Sequence, residues 1–207
     1  MDPGRDLVLV AVQGYCMVKT AEYDESHDWK HHQRVVNFAK TIAEKESVHP
    51  DFIWLLVIAA WIHDIVDHKY VKDLKVALAD IRRYLGFLHI LDISRIIEWI
   101  THTSWSKEKR GDPAVVEVLK KDFCARILAD ADRLDSISHE ESPIPDMPMG
   151  IYRCYQYSKM ANPNATEDEL IALVKKHCDE KLLILHEWIF TKSGKELAKA
   201  GTDAIQK

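Results

Sequence analysis

Residues 52–66 hold the stretch that most restricts how this chain can fold. Leu55, Leu56, Val57, Ile58, Ala59, Ala60, Trp61 and Ile62 follow one another with no polar residue between them. A helix apolar on every side belongs inside a protein, because it has no face to offer to water. The run then breaks into His63 and Asp64, and Asp67 follows three residues later. Burying imidazole and carboxylate at the end of such a helix is costly unless something binds them. A metal ion is the usual compensation, since imidazole nitrogen and carboxylate oxygen suit borderline and hard divalent cations.

The rest of the chain reads as helix around this element. Only seven glycines and seven prolines punctuate 207 residues, and no alternating strand pattern persists. The expectation is an all-α, single-domain helical bundle over residues 1–207 with a metal site in its core. Its core spans about 24–140, with helices of about 150–200 packing on it. Helices are predicted over 7–17, 28–45 and 52–66, with Asp51 as cap of the third. Leu74, Ala77, Leu78, Ile81 and Leu85 mark another, stopping at Gly86; Ile93, Ile96, Ile97 and Ile100 mark the next, running into His102. Residues 107–112 read as a charged loop, after which Pro113 opens one long helix through Leu134. Residues 142–148 carry three prolines and are predicted to be a loop or lid. Helix resumes over 150–160, and a last helix runs from about Glu167 through Leu197.

Composition narrows the function classes. Hydrophobic content of 47% and charged content of 29% suit a soluble domain with a sizeable core. A formal charge of −5 argues against a nucleic-acid duplex as partner. It leaves room for a small anion in a local basic pocket, and it admits a homodimer. Cys16, Cys124, Cys154 and Cys178 lack metal-ligand spacing, which favours reduced thiols in a cytoplasmic setting. No window reaches the roughly 18 apolar residues of a membrane span. Arg5, Asp6, Gln13 and Lys19 interrupt the N-terminal apolar patch, so it does not read as a signal peptide.

Three other places carry residues that could complete a metal site. The first is His27-Asp28-Trp29-Lys30-His31-His32-Gln33-Arg34-Val35, in which His27 and His31 lie four apart on one helical face. The second is Asp130-Ala131-Asp132-Arg133-Leu134-Asp135, flanked by Leu128 and Ala129. The third is Thr101-His102-Thr103-Ser104-Trp105-Ser106-Lys107. The order His, then His-Asp, then Asp resembles the HD-domain phosphohydrolase superfamily. The strings around His31 and Asp132 are most similar to its YedJ/YpgQ-like branch, as are Gly150-Ile151-Tyr152-Arg153-Cys154-Tyr155, Glu180-Lys181-Leu182-Leu183 and Thr191-x-x-Gly194-Lys195. The resemblance covers roughly residues 24–200.

That resemblance implies a helical bundle holding a divalent ion (manganese, iron, cobalt, nickel, magnesium or zinc) through His31, His63, Asp64 and an aspartate of the third motif. Asp130 and Asp132 are two apart and point about 200° from each other on a helix. Relatives favour the second, so Asp132 is the expected ligand and Asp130 the fallback. Asp64 and Asp67 are the expected catalytic carboxylates, with Asp67 one turn further on as the base that orients water. Arg34, Lys107, Arg133, Arg153, Lys181, His68 and His102 sit beside the matched motifs as candidate phosphate contacts.

The implied activity is phosphohydrolysis of a nucleotide, with pyrophosphate release from a nucleoside triphosphate favoured. A 5′-nucleotidase, an alarmone-type hydrolase and a catalytically silent metal- or nucleotide-binding module are the alternatives. The alarmone branch resembles His-Asp-x-x-Glu-Asp, whereas this chain reads His63-Asp64-Ile65-Val66-Asp67-His68. Residues 138–149 are longer than in the YedJ/YpgQ-like branch and lie next to the third motif.

Overall fold

The computed structural model of the chain describes residues 3–24, 27–138, 142–145 and 147–205. Glu25 and Ser26 of the predicted break before the second helix lie outside the described residues. So do His139, Glu140, Glu141 and Asp146 of the longer 138–149 segment. The described residues are helical with no strand among them, as the punctuation implied. They form two compact units, Met1–Ala129 and Asp130–Lys207.

In the first unit, α1 (Pro3–Lys19), α2 (Trp29–Lys45) and α3 (Pro50–Ile62) are followed by α4 (Leu74–Tyr84) and α5 (Ile90–Thr101). A short α6 (Trp105–Lys109) and α7 (Pro113–Lys121) come next, and α8 (Phe123–Ile137) crosses the boundary between the units. Helix α3 packs against α1, α2 and α5, which is why it needs no polar face. Leu56, Ile58, Ala59, Ala60 and Ile62 are fully buried. Each large apolar side chain placed there contributes roughly 1.5–3 kcal/mol.

The start of α3 differs from expectation. His49, not Asp51, caps it: its Nδ1 accepts from Asp51 N at 3.3 Å, and Pro50 takes the first helical position, where no N–H is needed. Asp51 instead pairs with Arg5 at 2.7 Å, tying α3 to α1. The end also differs, because regular helix stops at Ile62 and residues 63–66 form turns. The charged loop after Trp105 opens as the single turn of α6.

The long helix expected from Pro113 is two helices. Asp122 interrupts it, accepting from Cys124 N at 2.8 Å and Ala125 N at 3.1 Å, which makes it the cap of α8.

In the second unit, α9 (Met149–Ala161) packs on α10 (Glu167–Glu180), which leads into a 3-10 helix (Leu182–Trp188) and α11 (Lys192–Ile205). Thr166 and Glu169 form a capping box at the start of α10. A Cβ on Gly150 would meet Ser136 O at 2.5 Å, and one on Gly201 would meet Ile137 O at 2.1 Å. The end of α8 thus receives the backbones of α9 and α11 too closely for any side chain at these two positions. The single last helix predicted from Glu167 is broken at residues 189–191, for a reason that lies at Asp130. No described helix is long and apolar enough to cross a membrane.

Candidate metal centre

The first turn of α2 and the end of α3 bring three ligand-type side chains together. Asp28 caps α2 by accepting from His31 N at 2.9 Å, which fixes the turn carrying His31. His31 is 2% exposed and His63 is 5% exposed. The His63 Nδ1 lies 2.8 Å from Ala60 O. A carbonyl only accepts, so Nδ1 carries the proton and Nε2 presents its lone pair. His63 Nε2 lies 3.2 Å from His31 Nε2, and Asp64 Oδ2 stands 3.3 Å from His31 Nε2 and 3.5 Å from His63 Nε2.

These spacings fit an ion. Neighbouring ligand atoms about 2.1 Å from an octahedral ion are about 3 Å apart. Two imidazole nitrogens and a carboxylate oxygen also match the donor preferences of first-row divalent metals. Burial alone would raise the Asp64 pKa, but His63, His31 and His27 outweigh it and hold the carboxyl well below its usual range. Asp64 therefore stands ionised, the form a metal binds.

Behind this group lies His32, fully buried, with its ring 4.9 Å from that of His63 and 5.4 Å from that of His31. Its Nδ1 donates to Asp28 O at 2.8 Å. Burial first, then the neighbouring His63 and His31, lowers its pKa to about 3, so it is a neutral wall of the site. His27, not assigned a role from the sequence, is also here: its Nε2 lies 3.8 Å from Asp64 Oδ2 and 4.0 Å from Asp67 Oδ2. Burial lowers its pKa as well, with Asp64 opposing. The four-residue spacing of His27 and His31 was the available signal.

Asp67 follows Asp64 through a turn closed by Asp67 N donating to Asp64 O at 3.0 Å, and not through the continuous helix expected. The turn still carries it to the same side, and its Oδ1 accepts from Lys69 N at 2.7 Å.

In the second unit Asp130 is fully buried. Its Oδ1 accepts from Phe190 N at 2.8 Å, and its Oδ2 accepts from Thr191 N and Thr191 Oγ1, both at 2.8 Å. These bonds hold the extended link between the 3-10 helix and α11, which is why one continuous last helix cannot form. A Cβ on Gly194 would sit 2.9 Å from Asp130 Oδ2. Asp132, two residues along α8, is half-buried.

The candidate phosphate contacts are in varied settings. Arg34 is buried on α2, one turn after His31. Arg153 donates to Asp135 Oδ2 at 2.6 Å and to Ser136 Oγ at 3.3 Å, so its guanidinium already holds a buried carboxylate. Arg133 donates to Trp188 O and lies over the Phe190 ring. The His68 side chain is 92% exposed. His102 caps the end of α5, with Nδ1 2.8 Å from Glu98 O. Lys107 is exposed on α6, and Lys181 is half-buried between α10 and the 3-10 helix.

No protein-family model matches the chain, and no curated protein matches it in sequence. Solved structures do match its fold. Bacillus subtilis YpgQ, solved in complex with ADP, is 22% identical with a TM-score of 0.71, covering 98% of this chain and 91% of YpgQ. A Lactobacillus plantarum protein is 26% identical with a TM-score of 0.74, covering 100% of this chain and 93% of that one. An HD-superfamily hydrolase from Bacillus thuringiensis is 18% identical with a TM-score of 0.64, covering 98% and 93%. The fold is the one expected from the motif order, and it is shared with YpgQ and with the Bacillus thuringiensis HD-superfamily hydrolase.

Proposed function

We propose that the chain is a metal-dependent phosphohydrolase acting on a nucleotide, with pyrophosphate release from a nucleoside triphosphate as its reaction. The observation that carries this reading is the convergence of His31, His63 and ionised Asp64 at 3.2–3.5 Å. Two imidazole nitrogens and a carboxylate oxygen so close together form a donor set that suits a first-row divalent ion. The ADP complex of YpgQ, which shares the fold, supports a nucleotide as ligand.

Asp132 is proposed as the fourth ligand. Both oxygens of Asp130 are spent on Phe190 and Thr191, and Asp132 projects to the other side of α8. The set then offers two imidazole nitrogens and two carboxylate oxygens. A bound divalent ion supplies Lewis-acid polarisation of the phosphoryl group and a lowered pKa for water. The protein's own residues do the rest. His31 and His63 are fixed by Asp28 and Ala60. Asp67 accepts the proton of the attacking water. Arg34, Lys107 and Lys181 supply positive charge for phosphate oxygens, with His68 and His102 as further contacts; Arg153 serves Asp135 first.

The test is product analysis. Nucleoside mono-, di- and triphosphates are incubated with the protein and Mn²⁺, Co²⁺, Ni²⁺ or Mg²⁺, and the products separated. Equal yields of monophosphate and pyrophosphate from a triphosphate support the proposal. Orthophosphate and nucleoside from a monophosphate would instead make it a 5′-nucleotidase.

A further inference from the structure

We infer that α1 carries an interaction surface whose occupant is α1 of a second copy of this chain, packed antiparallel to it. The inference is independent of the hydrolase reading.

Helix α1 is apolar on both sides. Of its 17 residues only Arg5, Asp6 and Lys19 are charged, and they stand at its ends. Val12 and Cys16 point inward and are fully buried. Leu7, Val10, Ala11, Gly14, Met17 and Val18 recur at i, i+3, i+4, i+7, i+10 and i+11, so they share an arc of about 120°. All six are exposed, Leu7 at 72%, Val10 at 66% and Val18 at 76%. A surface helix ordinarily turns charge to water, as α2 does with Lys30, Lys40 and Glu44.

Gly14 is unexplained within the chain. It stands inside the helix, where only proline is a worse helix former. A Cβ on Gly14 would have nothing within 4 Å, so no neighbour in this chain requires a glycine there. A second helix does. The side chains at a helix contact set how near the two axes come, and glycine beside Ala11 allows a close approach.

The charges choose the occupant and its direction. A second α1 running antiparallel, with the two-fold axis level with residues 12 and 13, brings Leu7 beside Val18 of the partner subunit. It sets Val10 over Gly14 of the partner subunit, a branched side chain in the gap that a glycine leaves. Asp6 then meets Lys19 of the partner subunit. Asp6 has no ion pair among the described residues, and Lys19 reaches Asp80 Oδ2 at 2.7 Å with one of its three N–H groups. A parallel pair would instead oppose like charges at both ends and align the two helix dipoles. A lipid surface fits less well, because helices that lie on membranes carry Lys and Arg around the apolar face. Here Arg5 is paired with Asp51, and the chain's net charge is −5. The strip is about 25 Å long and about 10 Å wide, at the small end of specific interfaces, so the pairing is reversible and concentration-dependent.

Sedimentation equilibrium of the full chain between about 1 and 100 μM tests this. The wild type should pass from monomer towards dimer across that range. Val10→Glu changes an exposed position; it should weaken association at least about 100-fold and leave the circular dichroism spectrum and unfolding temperature as they are. Disulfide trapping with diamide reads the direction, the bonded peptides being identified by mass. Gly14→Cys, beside the axis, should cross-link to itself. Leu7→Cys alone should not, and a mixture of Leu7→Cys with Val18→Cys should. A wild type that stays monomeric at about 100 μM would overturn the inference. So would a Val10→Glu variant that dimerises like wild type, or Leu7→Cys that cross-links to itself in preference to the mixture. Flotation of monomeric wild type with phosphatidylserine vesicles, lost in Val10→Glu, would overturn it too and give the face to lipid.

Discussion

His31 Nε2 and His63 Nε2 face each other at 3.2 Å across α2 and the end of α3. His63 spends its Nδ1 proton on Ala60 O, so its Nε2 lone pair points at this contact beside the Asp64 carboxylate, a donor set that fits a divalent cation. Titrating Mn²⁺ into metal-free protein should raise the unfolding temperature, with about 2.7 kcal/mol of stabilisation at 100 times the Kd. His63→Ala should remove the metal-dependent shift in the same thermal scan.

The two aspartates of the third motif should separate cleanly. Asp130→Ala removes the acceptor for three hydrogen bonds from Phe190 and Thr191 and should cost about 2–4 kcal/mol by denaturant unfolding of metal-free protein. Asp132→Asn should leave that stability nearly intact and weaken Mn²⁺ binding by more than about 100-fold, read by calorimetry. The reverse pattern would make Asp130 the ligand.

Much of this site was legible in the sequence because its signals are local. His63 and Asp64 stand out as polar residues ending an apolar run, and the Asp-x-Asp spacing reveals two opposed carboxylates by helical geometry alone. The breaks in the two long helices divide by cause. Asp122 is a local cap that the amphipathic stripe on either side obscured. The break before α11 is made by Asp130 reaching Phe190 and Thr191, 60 residues away, and no local periodicity encodes such a bond. For the same reason His27 was visible only as a partner in spacing. Its hold by Asp24 and Tyr70 depends on a 46-residue contact, and the pairing of Arg153 with Asp135 likewise needed the fold.

Asp80 should give the protein part of its acid sensitivity. Lys19, Arg83 and Tyr15 hydrogen-bond its carboxylate and hold it below its ordinary value of 3.8. A depressed folded value means the stabilisation is fully present above pH 3.8 and is lost as pH falls through the folded value. Since its side chain is 28% exposed, Asp80→Asn should cost only about 1 kcal/mol at pH 7. The difference from wild type should shrink between pH 4 and pH 2 in urea unfolding.

The four thiols should fall into two classes. Burial pushes Cys16 and Cys124 up to about 12, leaving almost no thiolate at pH 8. Cys154 and Cys178 are half-buried and raised less. Timed reaction with a chromogenic disulfide at pH 8 should label Cys154 and Cys178 at least about 100-fold faster, with Cys16 and Cys124 reacting only on unfolding.

The central claim is that a metal held at His31, His63 and Asp64 drives nucleotide hydrolysis, and one measurement addresses it most directly: the rate of phosphate plus pyrophosphate release from a nucleotide panel with Mn²⁺, for wild type and Asp64→Ala. The account predicts Mn²⁺-dependent turnover by the wild type, abolished by chelator and reduced to background in the variant. Turnover that survives Asp64→Ala, or that needs no metal, would contradict it.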